Sequence, residues 1–174
     1  SVCVPDNYSC EDVPSGDEGP TVRVNELLAD PPSGANGDVN GDGTRDARED
    51  EFLELTNTGD EAVDISGWKV ADEVAGRYRF PAETVLEPGD YVVVFGGGEP
   101  EAYSGLPGEA TVLSAESGLY LNNSGDTVTL IDHEGEQVDQ IEYGADAGDN
   151  VSLVRSDDGL TAADGTGTPG ASNP

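Results

Sequence analysis

Methionine is absent from the chain, lysine, histidine and tryptophan each occur once, and nowhere do 18 apolar residues follow one another. Each shortage closes off a class of function. Without a long apolar stretch, no segment reads as a membrane-spanning helix. With His133 as the lone imidazole, a Ser-His-Asp or Cys-His arrangement must run through that residue. The pattern HEGE over 133–136 sets it in a turn, with nothing marking a partner. Pairs of carboxylates of the glycoside-hydrolysing kind abound by residue type, but among 37 acids a pair has meaning only through geometry. The triglycine Gly96, Gly97, Gly98 is followed by neither a lysine nor a helix start, so it is no phosphate cradle. The expectation is a protein that is not an enzyme.

Cysteine is almost as scarce. Cys3 and Cys10 lie in a polar, proline-bearing arm, residues 1–20, whose turn formers and acids carry no sustained period. Paired with each other, they would staple the arm by roughly 2.5 kcal/mol on the chain-entropy account. A disulfide implies an oxidising compartment, and C-x6-C lacks the usual metal or redox spacing. The missing methionine, at position one as elsewhere, suggests a mature product whose export signal has been removed. We therefore expect a secreted, extracellular or cell-surface protein.

Positive charge is the other shortage. Six arginines and Lys69 stand against 37 acids, for a net charge of −30. Such a field repels phosphate, which argues against nucleic acid and against anionic membranes as partners. It also opposes compaction unless screened, as in molar salt with a screening length of about 3 Å, or neutralised by divalent cations. Little lysine with much Asp, Glu, Gly and Thr fits a halophilic or marine source; acidity serving solubility alone is the plainer reading.

Acid is also patterned. The stretch DVNGDGTRDAREDEFLELTN, residues 38–57, fits D-x-[DN]-x-[DN]-G-x5-E in full. Asp38, Asn40 and Asp42 stand at positions one, three and five, Gly43 at six and Glu49 at twelve. Alternating positions turn hard oxygen donors toward one centre, and the glycine allows the bend that returns the chain to the same ion. Thr44 would offer its backbone carbonyl, Asp46 would bind directly or through water, and Glu49 could close the site with two oxygens. Asp50 and Glu51 compete for that closing role, and Glu51 could instead pair with a donor at the edge of the core. Asp30, Pro31, Pro32, Gly34 and Gly37 upstream rule out an entering helix, because proline lacks the donor and glycine is too free. Arg45 at position eight argues against pairing with a second loop. We read residues 36–51 as a lone calcium loop, without the helices a sensor needs.

The rest reads as short strands. TVRVNELLA (21–29) opens the core, with Val22, Val24, Glu26 and Leu28 on one parity. In EFLELTN (51–57) Leu53 and Leu55 share a face, and Phe52 and Glu54 point the other way. Trp68 beside a glycine turn is a core filler. YVVVF (91–95) is apolar on both faces and so central to its sheet. LYLNN (119–123), a Ser124-Gly125 turn and DTVTLID (126–132) read as a hairpin with Val128 and Leu130 inward. Strands over 138–143 and 151–155 follow, then a Gly, Thr, Ala and Pro tail without period. About eight or nine strands and no helix give an all-β sandwich.

The order VNELLADPP, EFLELTN, VDISGWKVAD, LEPGDYVVV, LNNSGDTVTLID, VDQIEYG, SLVR, TPGASN resembles a lamin-tail domain of the kind found in bacterial and archaeal secreted proteins, over residues 21–174. The resemblance implies an immunoglobulin-like sandwich, often with a calcium-type insertion between the first two strands. It also favours Asp50 as a ligand beside or instead of Glu49.

Together these readings predict a secreted calcium-binding structural module that packs against copies of itself, as a homo-oligomer or filament. The alternative is a calcium-dependent adhesion module of a larger protein, binding carbohydrate or a cell-surface protein. Against the alternative, the loop has no aromatic nearer in sequence than Phe52.

Overall fold

The computed structural model describes residues 21–99, 110–157 and 159–171. The arm over 1–20, with Cys3 and Cys10, lies outside the described residues. Among those described, twelve strands and two 3-10 turns occur and no α-helix, so the expected all-β architecture holds with more strands than the eight or nine foreseen.

Three sheets share the strands. The largest runs β12 (Gly159–Ala162), β11 (Leu153–Ser156), β1 (Val22–Leu28), β2 (Phe52–Asn57), β7 (Tyr91–Phe95), β8 (Thr111–Ser114). All its pairings are antiparallel except β7 with β8. The second runs β10 (Gln137–Tyr143), β9 (Asp126–Ile131), β4 (Lys69–Ala71), β5 (Gly76–Arg79), and a two-stranded ribbon joins β3 (Val63–Asp64) to β6 (Val85–Leu86). Between the two large sheets lies the main core. Val22, Val24, Leu53, Leu55, Val92 and Val94 meet Val70, Val128, Leu130, Ile141 and Tyr143, with Trp68 among them. β7 is apolar on both sides because both faces of its sheet are covered.

The second covering follows from a bulge. Val24 pairs with Leu55 but Glu26 pairs with Glu54, so Asn25 is extra and the alternation of β1 reverses there. Val22 and Val24, then Leu27 and Ala29, face the main core, whereas Leu28 joins a smaller cluster with Val39, Phe52, Val93 and Phe95. This corrects the single parity expected for Val22, Val24, Glu26 and Leu28. Phe52 and Phe95 meet edge to face at 5.9 Å.

At the other end of that outer face, Glu26 and Glu54 are fully buried under the C-terminal segment. Glu26 accepts the Ser152 hydroxyl at 2.5 Å and the Thr168 N–H at 3.2 Å; Glu54 accepts the Asn25 amide at 2.6 Å and the Gly170 N–H. Gly167, at φ 90°, passes so close that a Cβ there would stand 1.8 Å from a Glu26 oxygen. Residues 165–171 thus form a strap, and β12 before it is an added strand in a tail that lacks an apolar period.

Residues 119–123 differ from expectation as well. Leu119 and Leu121 are buried, but Tyr120 adopts the left-handed region at φ 56° and no strand forms. The Leu121 N–H goes to the Glu51 carboxylate at 3.2 Å instead of to a ladder partner. β9 pairs with β10 and β4, and Val128 and Leu130 do point inward. Asp139, at the register shift of β10, accepts the Val24 N–H at 2.8 Å and both terminal nitrogens of Arg155 at 2.7 and 3.1 Å, tying the second sheet to the first.

Candidate metal centre

The loop leaves β1 at Leu28 and returns into β2 at Phe52. Its base is closed by Arg45, whose guanidinium donates to the carbonyls of Pro31 and Pro32. A 3-10 turn, Ala35–Gly37, then delivers Asp38. Val39 is the apolar anchor, buried against Leu28, Phe52 and Phe95.

Asp50 organises the rest of the loop. It is fully buried, and its carboxylate accepts the Val39 N–H at 2.8 Å, the Asn40 N–H at 3.0 Å and the Asp46 N–H at 2.7 Å. Burial pushes its pKa up, and the neighbouring charge of Asp38 adds to that while the three N–H donors oppose it. Asn40, also fully buried, accepts the Asp42 N–H at 3.0 Å, and Asp42 accepts the Thr44 N–H at 2.8 Å. Gly43 takes the bend of position six at φ 91°. Asp46 accepts the N–H groups of Arg48 and Glu49 at 2.8 and 3.2 Å, and these bonds hold its carboxyl below the ordinary range.

The triglycine is the seat of this loop. Gly96 N–H donates to Glu51 O at 2.8 Å and Gly97 N–H to Glu49 O at 3.1 Å. A Cβ on Gly96 would lie 1.9 Å from the Arg48 carbonyl, and one on Gly98 would lie 2.3 Å from the Asn40 amide nitrogen. Three glycines in a row are therefore a packing demand, which their sequence alone did not disclose.

Of the residues read as ligands, Asp38, Asn40, Asp42, Thr44, Asp46, Glu49 and Asp50 all lie in one folded loop, with Thr44 and Asp46 exposed. Among the described residues no three Asp, Glu, His or Cys side chains converge into a cation cage of their own. The donors present are a mixed set of carboxylates, the Asn40 amide and backbone carbonyls, which is the oxygen chemistry a calcium-sized ion takes. One of them is unsatisfied: Asp38 Oδ1 is buried and has no hydrogen-bond partner. Glu51 takes the second of its two foreseen roles, pairing with the Leu121 N–H. Burial pushes its pKa up to about 7.

The sequence model of the Lamin Tail Domain matches residues 16–145. The chain belongs to the lamin tail domain family. No curated protein matches it. The family is immunoglobulin-like and of a non-enzymatic type, in keeping with a structural or binding module. The match stops before β11 and β12, which this lamin tail domain nonetheless builds into its largest sheet, and it starts inside the N-terminal arm over 1–20.

Beside the loop of this lamin tail domain lies a feature that sequence reasoning missed. Tyr120 is 44% exposed, with the guanidinium of Arg48 4.7 Å and that of Arg77 5.0 Å from its ring centroid. Three open clefts of about 530, 510 and 400 Å³ share it. Arg77 is also paired with Asp72, its Nε 2.6 Å from Oδ2. Phe52, the aromatic nearest the loop in sequence, is fully buried and offers no surface. His133 is exposed in the β9–β10 turn. No helix among the described residues is long and apolar enough to cross a membrane.

Proposed function

We propose that this lamin tail domain is an exported structural module whose loop over 38–50 binds calcium and whose copies pack together into an extracellular assembly. The observation that carries the metal reading is the buried, partnerless oxygen of Asp38 within a full D-x-N-x-D-G pattern. A buried carboxylate oxygen with neither donor nor cation is costly, and a divalent ion relieves it. Asp38, Asn40, Asp42, Asp46, Glu49 and the Thr44 carbonyl are the residues to hold the ion. Asp50, whose oxygens already receive three N–H groups, sets the shape of the loop and adds charge. When bound, calcium supplies positive charge against clustered acids, and an affinity on the order of 10⁻⁴ to 10⁻³ M suits an extracellular module.

Self-packing is supported by the edges. Among the described residues, β8 and β12 end the large sheet, four residues each and partly exposed, and β5 ends the second. Unpaired ladder groups on such strands accept another strand. The test of the metal is thermal melting in low salt with and without chelator; melting indifferent to chelation overturns it. The test of packing is electron microscopy with and without calcium, on the whole chain and on a chain lacking residues 1–20. We expect assembly only for the whole chain in calcium.

A second reading, a calcium-dependent module adhering to carbohydrate or a cell-surface protein, draws support from Tyr120 between two arginines beside the loop. Glycan-array binding that needs calcium and disappears in Tyr120→Ala is its expected signature.

A further inference from the structure

Three N-x-[ST] acceptor sequences occur in the chain: Asn7-Tyr8-Ser9, Asn122-Asn123-Ser124 and Asn150-Val151-Ser152. The first lies outside the described residues. The other two have opposite surroundings, and we propose that Asn122 is a site of N-linked glycosylation while Asn150 is not.

Asn122, Asn123 and Ser124 are all exposed, at a turn closed by the Gly125 N–H on the Asn122 carbonyl at 3.0 Å. The Asn122 side-chain oxygen accepts the Ser124 N–H at 3.0 Å and the Ser124 hydroxyl at 2.8 Å. Two donors on the amide oxygen draw density from the amide nitrogen and make its protons more acidic. Among the described residues that nitrogen donates to nothing. Asn122 also borders two of the three open clefts, so a glycan has room and would stand beside Tyr120.

Asn150 is exposed too, at φ 59°, but its serine is unreachable. Ser152 is fully buried, and its hydroxyl is bound to Glu26. Its N–H donates to Gly165 and its carbonyl accepts from Ala163, so both backbone groups are held as well. Of the two acceptor sequences among the described residues, a transferase that must read the +2 hydroxyl finds it exposed at Ser124 and not at Ser152.

In the transfer, Asn122 Nδ2 bonds to C1 of the first sugar of a polyisoprenyl-diphosphate-linked glycan. The C1–O bond to phosphate breaks, the lipid diphosphate leaves with the bonding pair, and one amide proton passes to a base of the transferase. Occurrence in life rests on the export reading; the chemistry of the site does not.

The experiment takes a single-subunit oligosaccharyltransferase already shown to glycosylate a synthetic peptide of residues 119–127. It offers the folded, Asn7→Gln chain a lipid-linked oligosaccharide, and intact mass and site mapping are read. We expect one glycan, lost in Asn122→Gln and in Ser124→Ala and retained in Asn150→Gln, with circular dichroism confirming that each variant is folded. A folded chain that stays unmodified at Asn122, or that is modified as readily at Asn150, overturns the proposal. Calcium melting is measured separately, so failure of the metal reading leaves this result intact, and the reverse.

Discussion

The outer face of the large sheet is covered twice, and both coverings hang on carboxylates. At one end the loop over 38–50 folds around Asp50; at the other the strap over 165–171 is clamped by Glu26 and Glu54. In each, buried side-chain oxygens receive backbone N–H groups that have no strand to pair with, which answers the demand that buried backbone donors be satisfied. The difference lies in what remains. The strap leaves its two glutamates surrounded by hydroxyl, amide and N–H donors and packed over backbone. The loop carries several further acids and leaves Asp38 Oδ1 with nothing. A carboxylate enclosed by donors completes a fold by itself; the partnerless oxygen among the loop's carboxylates is the ground of the proposed calcium site.

The largest way to break this comparison is to remove either organiser. Glu26→Ala strands the Ser152 hydroxyl and the Thr168 N–H, and Asp50→Ala strands three N–H groups. We expect each to cost about 3 kcal/mol or more from unsatisfied buried donors, measured by chemical denaturation. The two should then part company. Glu26→Ala should still be stabilised by calcium, whereas Asp50→Ala should not.

Next in size is the ion. On the proposed calcium reading, with a dissociation constant between 10⁻³ and 10⁻⁴ M, we expect calcium at about 10 mM to contribute roughly 1.4 to 2.7 kcal/mol by mass action. For a chain of this size that raises Tm by roughly 3 to 10 °C, and calorimetry should record it. Asp38→Ala and Asp42→Ala should abolish the calcium shift; Gly167→Ala, which disturbs only the strap, should preserve it while lowering Tm.

The dependence on pH sharpens the contrast. Burial raises Glu54 to about 7 at the strap and Glu51 to about 7 beside the loop, against an ordinary 4.5; the charge of Glu26 pushes Glu54 further in the same direction. Between pH 4.5 and 7 the folded protein binds more protons than the unfolded, so stability falls as pH rises through that window. In chelator, Tm should therefore be higher near pH 5 than near pH 8. Glu54→Gln keeps the acceptor to Gly170 without the charge, and we expect it to flatten part of this slope; an unchanged slope would remove Glu54 from the account.

The strands over 22–28, 52–57 and 91–95 were legible because a half-buried or fully buried strand must show its period, and the bend at Gly43 was legible because a glycine stands there after alternating short polar residues. Phe52 and Glu54 pointing away from Leu53 and Leu55 was legible on the same ground. What the outer face packs against was not. The bulge at Asn25 reverses β1 through one extra residue, and the adjacent Leu27 and Leu28 leave both parities open to a reading by alternation alone. Tyr120 sits in a run that alternates like a strand, but its backbone is left-handed and the Leu121 N–H goes to the Glu51 carboxylate, so no ladder forms. β12 and the strap have no apolar period, because backbone pairing and two buried glutamates position them.

Local order along the chain therefore determined an all-β sandwich and one acid-rich loop with a metal-type spacing, since alternation and ligand offsets are properties of neighbouring residues. Tertiary structure alone decided that Asp50 is the organiser of the loop, that Gly96 to Gly98 is its seat, that Glu26 and Glu54 hold the tail, and that Asn122 is open where Ser152 is closed. Those outcomes depend on which distant groups share a burial site, and burial is set by the whole fold.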